Sequence, residues 1–199
     1  KAASELMLGK GENNKVFFCS DKNLIVRNDG YSTLEKENLT KNLGAVSELA
    51  KKLSSDGINF RAAVAGQKNE IMTSSLPAFY GDRSAEKSKT TLENVAEDVG
   101  LSYIDLFIPL KEAVDSGDYA YYRTDHHWTT LGAYIASEAV LSQFGRTLPE
   151  KDFFSIECAS DKFLGTTYSS SGFTWADPDI LEFYRYDGDG DYTVTIDGE

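Results

Sequence analysis

Two amphipathic helices, each followed by a short apolar strand, constrain the fold of this sequence more than any other feature. The first helix is predicted over residues 32–54, where apolar residues recur at steps of four and three. A buried strand is predicted over 58–65, and a second helix over 84–99 leads to a second strand over 102–106. Strands that alternate with helices at this spacing form parallel βαβ units with right-handed crossovers. The sequence therefore predicts an α/β fold.

Shorter elements flank this α/β region. Apolar runs at 16–19 and 24–26, separated by a polar turn, predict a β-hairpin. Further helices are predicted over 108–114 and 129–144, and the second of these carries few polar residues. We therefore expect that helix to be largely buried.

The C-terminal quarter is predicted to be β-rich. Strands are predicted over 180–186 and 192–196, joined by a turn of alternating aspartate and glycine. Residues 187–199 also resemble a calcium-binding loop, but the EF-hand pattern requires Gly at its sixth place and Glu at its twelfth. Because Tyr192 and Gly198 occupy those places, an acidic hairpin turn is the better interpretation.

The length and charge of the chain limit its class of function. A chain of 199 residues is expected to form a single domain over 1–199. With a formal net charge of −12 and no cluster of Lys or Arg, it is not expected to bind nucleic acid or an anionic membrane surface. No apolar run approaches the roughly 18 residues of a membrane-spanning segment. No leader is recognisable, which carries no information because leaders are removed from mature proteins.

The only two histidines of the chain stand side by side in a Tyr-rich stretch, YAYYRTDHHWTTLGAY at 119–134. Histidine has the side-chain pKa nearest neutrality, and a carboxylate that accepts its ring N–H fixes the tautomer and supports the imidazolium. Alternation along an extended segment would place Asp125 and His127 on one face and His126 on the other. Asp125 and His127 are therefore the candidate catalytic residues.

The region from residue 117 to 144 resembles the signature of the DHHW protein family, a relative of the alginate O-acetyltransferases within the SGNH-hydrolase-like superfamily. The signature is Tyr-rich, then Thr-Asp-His-His-Trp-Thr, here at 124–129, then Gly-Ala-Tyr, here at 132–134. In the acetyltransferase relatives the dyad reads Asp-any-His-Trp, which maps onto Asp125 and His127. The resemblance implies a three-layer, flavodoxin-like SGNH-hydrolase-like sheet with a β-rich C-terminal portion.

The same resemblance implies the chemistry. The expected function is transfer of an acyl group, especially acetyl, or ester hydrolysis on a bacterial cell-surface or extracellular carbohydrate, with no metal and no organic cofactor. Asp125 would orient His127, which would activate a serine hydroxyl and then protonate the leaving group. The alternative is a catalytically silent carbohydrate-binding or structural surface protein with the same fold.

The serine of such a site is not identified in the chain. Relatives carry it in a Gly-Asp-Ser-like turn well downstream of the Asp-His pair, and neither Gly-Asp-Ser nor Lys-Asp-Ser occurs here. Ser169, Ser170 and Ser171 form the only downstream cluster, in a segment that the resemblance predicts to be a loop. We therefore expect the domain to stop before its nucleophile, with one of these three serines as the alternative.

Six residues are candidates for substrate binding: Tyr122, Arg123, His126, Trp128, Gln67 and Lys68. Tyr121, Tyr122 and Trp128 could form a stacking platform for a sugar or could pack around the motif. Gln67 and Lys68 follow the first predicted strand, where α/β sheets place ligand-binding loops. Relatives read like Pro-Asn-Lys there, so Gln67 departs from the pattern, and the pair could line the cleft or form a solvated loop.

Metal binding is the competing chemistry, since Asp-His-His also resembles the DHH phosphoesterases. Those enzymes need further Asp and His ligands upstream, and this chain has no other histidine and no Asp-x-Asp pair before the motif. Cys19 and Cys158 are too few for a zinc–thiolate cluster. The two cysteines could pair or remain buried free thiols. No metal site is expected.

Overall fold

The computed structural model describes residues 7–8, 16–26, 33–76 and 81–186. In chain order the elements are β1 (Met7–Leu8), β2 (Val16–Phe18), β3 (Leu24–Val26), α1 (Thr33–Ser55), β4 (Ala62–Val64), α2 (Lys68–Ile71), α3 (Gly81–Asp98), β5 (Tyr103–Asp105), α4 (Phe107–Asp115), α5 (Thr130–Ser142), β6 (Phe154–Phe163), α6 (Thr166–Ser171) and β7 (Asp179–Tyr186). The strand predicted over 192–196 and the acidic turn before it lie outside the described residues.

A parallel strand pair forms the predicted βαβ unit. β4 and β5 run parallel, with Ala62 opposite Tyr103 and Val64 opposite Asp105. α3 lies between them in the chain, which is the order that the sequence predicts. The strand predicted over 58–65 is shorter in the structure, because β5 offers it a ladder of only three residues. The carboxyl ends of both strands meet at one edge of the pair.

The main core lies between β5 and the helices α4 and α5. Ile104 of β5 clusters with Leu110 of α4, Ala136 of α5 and Tyr121 in the segment between the two helices. Since Tyr121 belongs to this cluster, the motif segment is attached directly to the core. The helices of the described residues include none with the length and hydropathy of a membrane-spanning segment.

A small antiparallel sheet contains the predicted N-terminal hairpin. β2 and β3 pair with Val16 opposite Val26, and β1 adds a third strand beside β2. The backbone N–H of Leu24 donates a 2.8 Å hydrogen bond to the carbonyl of Arg123, which joins this sheet to the motif segment. Cys19, at the turn of the hairpin, is a buried free thiol.

A long antiparallel hairpin forms the β-rich C-terminal portion. β7 confirms the strand predicted over 180–186, but its partner is β6, a stretch for which no element is predicted from the sequence. Phe163 lies opposite Asp179 at the end of this ladder. Cys158 on β6 is an exposed free thiol, so the expectation of a buried thiol holds only for Cys19.

Candidate active site

A tight loop carries the two histidines. Tyr121 and Trp128 face each other in an isolated antiparallel bridge, and the N–H of Tyr122 donates to the carbonyl of His127 at 3.2 Å. Thr129 then caps α5, because its hydroxyl oxygen accepts a 3.2 Å hydrogen bond from the N–H of the third residue of the helix. The loop is therefore closed at its base and held at the start of a helix.

Asp125 and His127 are brought together as the sequence predicts. Asp125 Oδ1 lies 2.6 Å from His127 Nδ1 and accepts a 2.8 Å hydrogen bond from the N–H of His127. The Asp125 side chain is buried, whereas 66% of the His127 side chain is exposed. An ionised carboxylate can only accept, so His127 Nδ1 carries the proton and Nε2 offers its lone pair to solvent. This is the tautomer that a general base requires.

Four hydrogen bonds keep Asp125 ionised. Burial by itself would raise the pKa of Asp125, but the N–H and ring of His127 on Oδ1 and the N–H and hydroxyl of Thr166 on Oδ2 outweigh it. The two contacts from Thr166 measure 2.7 Å from the backbone nitrogen and 2.9 Å from Oγ1. Together these bonds hold the pKa of Asp125 well below its usual range.

The prediction that His126 lies on the opposite face is wrong. Its ring stacks on that of His127, with centroids 3.8 Å apart and planes tilted by 39°. Its Nδ1 lies 2.9 Å from Thr166 Oγ1 and 3.5 Å from Asp125 Oδ1. The alternation rule holds for extended strands, and this stretch is a series of bends. Both imidazoles therefore share one carboxylate.

The three downstream serines lie on a short helix, α6, and not on the predicted loop. The hydroxyls of Ser169 and Ser170 donate to the carbonyls of Gly165, which caps α6, and Thr166, and Ser171 Oγ donates to the carbonyl of Tyr168 at 2.8 Å. Within the part of the chain that the structure describes, no serine hydroxyl forms a hydrogen bond with His127. The helix contributes its first residue, Thr166, to the site instead.

Lys68 is buried beneath the motif loop, where it binds backbone carbonyls, and it does not line the cleft. The residue is 4% exposed, and Nζ lies within hydrogen-bond distance of four carbonyl oxygens. These belong to Leu24 at 2.9 Å, Tyr122 at 2.6 Å, Arg123 at 3.0 Å and Asp125 at 3.2 Å. Burial lowers the pKa of Lys68 to about 7, against the opposing effect of the nearby Asp179 carboxylate. One buried side chain thus joins the N-terminal sheet to the motif loop.

Asp179, which was not among the candidates predicted from the sequence, holds the motif loop through a second set of hydrogen bonds. Its carboxylate is fully buried and accepts hydrogen bonds from the Tyr119 hydroxyl, from the N–H and Nε of Arg123, and from Thr124. The two contacts from Thr124 measure 2.8 Å from the backbone nitrogen and 2.5 Å from Oγ1. In the sequence, only its position directly before the strand predicted over 180–186 distinguishes Asp179.

The sequence itself places this site in a family. Residues 17–186 match the family model described as an SGNH hydrolase-like domain, acetyltransferase AlgX. The chain belongs to this family. No curated protein sequence shows significant similarity to the chain. The AlgX family match confirms the predicted SGNH-hydrolase-like fold class and its relation to the alginate O-acetyltransferases.

Solved structures have the same fold as this AlgX-family chain. The O-acetyltransferase domain of Pseudomonas putida AlgJ superposes with a TM-score of 0.61 at 19% identity, over 89% of this chain and 63% of that one. A DHHW family protein from Eubacterium siraeum gives 0.63 at 19% identity, over 92% and 57%. Bacillus cereus PatB1 with a sulfonyl adduct gives 0.64 at 16% identity, over 91% and 58%. The chain thus spans about three fifths of the length of these structures.

The aromatic residues around the motif pack inward in this AlgX-family domain. Tyr121 and Tyr122 are buried, and the Tyr122 ring meets that of Phe163 edge-on at 5.0 Å. Trp128 is half-buried against the main core. The alternative of a stacking platform built from these three rings is therefore wrong for the two tyrosines, whose faces are covered.

The remaining predicted binding residues lie in different places. Arg123 is about one-third exposed, and its Nε pairs with Asp179 Oδ1 at 3.3 Å. Gln67 is exposed and lines a hollow of about 70 Å³ at the carboxyl ends of β4 and β5, whose lining does not include the dyad. Of these predicted binding residues, His126 is the one whose ring packs against the ring of His127.

A metal would have to compete for oxygen atoms that already accept hydrogen bonds. Potential ligand atoms of Asp125, His126 and His127 lie within 4.8 Å of one another, and no further His, Cys, Asp or Glu among the described residues joins them. Both oxygens of Asp125 accept from His127 and Thr166. An ion bound to Asp125 would therefore have to displace at least one of the hydrogen bonds that orient the imidazoles.

Proposed function

We propose that this AlgX-family domain supplies the Asp–His part of a serine-dependent O-acyltransferase or esterase that acts on a carbohydrate outside the bacterial cell or at its surface. Acetyl is the acyl group that we assign. The observation that carries the proposal is the 2.6 Å contact between Asp125 Oδ1 and His127 Nδ1, with the rest of the imidazole exposed. The description of the family as an acetyltransferase, and that of AlgJ as an O-acetyltransferase, support the reaction class.

In the first half of the reaction His127 acts as a general base. Its Nε2 takes the proton from a serine hydroxyl as the serine oxygen attacks the carbonyl carbon of the acyl donor. The tetrahedral intermediate collapses, the bond to the alcohol leaving group breaks, and Nε2 returns the proton to that leaving oxygen. Asp125 stays ionised throughout and stabilises the imidazolium that forms. The product is an acyl-serine.

In the second half the acyl group moves to an acceptor. The acceptor hydroxyl gives its proton to His127 Nε2 and attacks the acyl carbon, and collapse returns the proton to the serine oxygen. When water replaces the acceptor, the same steps give ester hydrolysis. A positioned histidine base contributes about 10²- to 10⁴-fold to such rates.

The serine, in this proposal, comes from a part of the protein other than residues 1–199. Two observations support this placement. The hydroxyls of Ser169, Ser170 and Ser171 donate to backbone carbonyls of their own helix, and AlgJ, which has the same fold, is longer than this chain. His126 keeps its predicted role as a substrate contact, and Arg123, Trp128 and Gln67 are secondary candidates. We assign Tyr122 and Lys68 to support of the loop.

Hydrolysis of nitrophenyl acetate by the natural polypeptide that carries residues 1–199 tests the proposal. His127→Asn should lower kcat by about 10²- to 10⁴-fold. Ser142→Ala should not change it, because that exposed hydroxyl donates only to a carbonyl of α5. Residues 1–199 alone should be inactive. If residues 1–199 and the natural polypeptide were equally active, and that activity depended on Ser169–Ser171, the placement of the serine would be wrong. If neither protein were active, the silent carbohydrate-binding alternative would be favoured.

A further inference from the structure

The two neighbouring histidines use the same nitrogen, Nδ1, for their contacts with the Asp125–Thr166 pair. His127 Nδ1 lies 2.6 Å from Asp125 Oδ1, and His126 Nδ1 lies 2.9 Å from Thr166 Oγ1 and 3.5 Å from the same carboxylate oxygen. Nδ1 and Nε2 lie on different edges of an imidazole. More than half of each side chain is exposed, 54% for His126 and 66% for His127. Among the described residues each ring makes its side-chain hydrogen bonds through Nδ1, which leaves Nε2 as the nitrogen of both histidines that can meet a ligand.

The hydrogen-bond network also sets the tautomer of His126. Because Asp125 is ionised, the single hydroxyl proton of Thr166 goes to Asp125 Oδ2, 2.9 Å away. Thr166 Oγ1 must then accept at its remaining contact, the 2.9 Å approach of His126 Nδ1. His126 Nδ1 consequently carries a proton, as His127 Nδ1 does. In the neutral state both histidines offer an Nε2 lone pair.

We propose that these two Nε2 atoms together bind two neighbouring hydroxyl groups of the acceptor, so that the acceptor is a vicinal diol of a carbohydrate. The inference rests on the proposed acyltransfer. An acceptor hydroxyl has one proton, and His127 must receive it, so His126 cannot bind the same hydroxyl as an acceptor. A second hydroxyl on the adjacent carbon reaches the neighbouring ring, whose centroid is 3.8 Å from that of His127.

The two histidines then have separate roles in the transfer step. The reacting hydroxyl loses its proton to His127 Nε2, its oxygen bonds to the acyl carbon, and the bond from that carbon to the serine oxygen breaks as the serine regains the proton. The neighbouring hydroxyl keeps its proton and donates it in a hydrogen bond to His126 Nε2 throughout. His126 thus positions the acceptor, and it selects a diol over water or a simple alcohol.

A competition between two isomeric acceptors tests this role. The natural polypeptide that carries residues 1–199 is given nitrophenyl acetate and equal amounts of two cyclohexanediols, one with vicinal cis hydroxyls and one with the hydroxyls one carbon further apart. The ratio of the two monoacetates does not depend on the amount of active enzyme. The vicinal isomer should be favoured by about threefold to tenfold, the effect of one hydrogen bond.

His126→Phe keeps an aromatic ring of similar shape but removes the Nε2 lone pair. The ratio of the vicinal to the non-vicinal monoacetate should therefore fall to near one. Thr166→Val should lower it as well, because His126 loses its Nδ1 partner while the 2.7 Å backbone contact to Asp125 remains. Ser142→Ala, on the exposed side of α5, should keep the parent ratio. An unchanged ratio in His126→Phe, or no preference in the parent, would overturn the inference.

Absence of acetyl transfer to any acceptor would instead contradict the proposed acyltransfer. The diol site can still be tested in that case, because binding does not require turnover. Titration of the natural polypeptide with each isomer, followed by NMR of the two imidazoles, should shift the His126 ring resonances more with the vicinal diol. Equal shifts with both isomers would overturn the inference on its own.

Discussion

Gly165 lies against the carboxylate of Asp125 so closely that no other residue fits at its position. A Cβ at residue 165 would lie 2.3 Å from Asp125 Oδ2 and 2.3 Å from Asp125 Cβ. The backbone nitrogen of the next residue, Thr166, lies 2.7 Å from Asp125 Oδ2 and donates a hydrogen bond to it. Because Gly165 has no side chain, the backbone can approach the Asp125 carboxylate closely enough for the N–H of Thr166 to donate to it. A larger residue at position 165 would push this donor away from the carboxylate that orients His127.

Gly165→Ala should therefore both destabilise the fold and disturb the dyad. We expect a loss of about 1–3 kcal/mol in the free energy of unfolding, measured by urea denaturation, from steric overlap at a buried site. Gly44→Ala in α1 is the matched control: its Cβ would approach only Val99 Cγ1, at 4.0 Å. Because Ala favours a helix over Gly, the control should gain roughly 0.5–1 kcal/mol. Equal effects of the two changes would contradict the close approach at Gly165.

Asp179→Asn should destabilise the fold at neutral pH. The Asp179 carboxylate is fully buried and receives donors from Tyr119, Arg123 and Thr124, and an amide cannot accept at both positions. We expect a loss of about 2 kcal/mol in the free energy of unfolding. Asp177→Asn, which breaks only an exposed 2.6 Å ion pair with Lys22, should leave that free energy unchanged within error.

Asp179→Asn should also change how the free energy of unfolding depends on pH. Burial opposes ionisation of Asp179, but its hydrogen bonds outweigh this and lower its pKa, as those of Asp125 do. Such groups bind fewer protons folded than unfolded, so their stabilisation is complete above pH of about 4 and is lost as pH falls through the folded pKa. Unfolding free energies measured between neutral and acidic pH should fall less steeply for Asp179→Asn than for the parent. Parallel curves would contradict the lowered pKa.

Lys68→Met should be among the most destabilising single changes. Methionine fills similar volume, but the buried contacts of Lys68 Nζ with the carbonyls of Leu24, Tyr122 and Asp125 are lost. The part-buried contact with the Arg123 carbonyl is lost too, although that oxygen keeps the N–H of Leu24 as a donor. We expect a loss of about 3 kcal/mol, measured by urea denaturation. Lys51→Met, at an exposed lysine paired with Glu48 on the surface of α1, should change stability by less than about 0.5 kcal/mol.

A chelator should leave both the fold and the dyad unchanged. Asp125 Oδ1 and Oδ2 already accept from His127 and Thr166, so an ion would have to displace existing hydrogen bonds. The melting temperature and the imidazole NMR resonances of His126 and His127 should be the same before and after dialysis against a chelator. A fall in melting temperature after dialysis that added zinc reverses would contradict this expectation and would support a phosphoesterase-like metal site.

The sequence by itself determined the elements whose signal is local. Apolar residues at helical spacing predict a helix over 32–54, and the structure has α1 at Thr33–Ser55. Alternation predicts the strand at 180–186, and β7 occupies Asp179–Tyr186. The contact between Asp125 and His127 belongs to the same class, because two residues of separation in one loop bring the carboxylate to the ring. Periodicity and short loops depend on neighbours in the chain, which a sequence displays directly.

Only the tertiary structure decided what surrounds that pair. Thr166 and Asp179 reach the motif loop across 41 and 55 residues of chain, and Lys68 reaches Asp125 across 57. It also decided that His126 stacks on His127 instead of facing away, and that β7 pairs with β6. These contacts form because buried carbonyls and carboxylates must find donors wherever the packed chain supplies them. The motif residues do not specify which distant lysine, threonine or aspartate will meet that need.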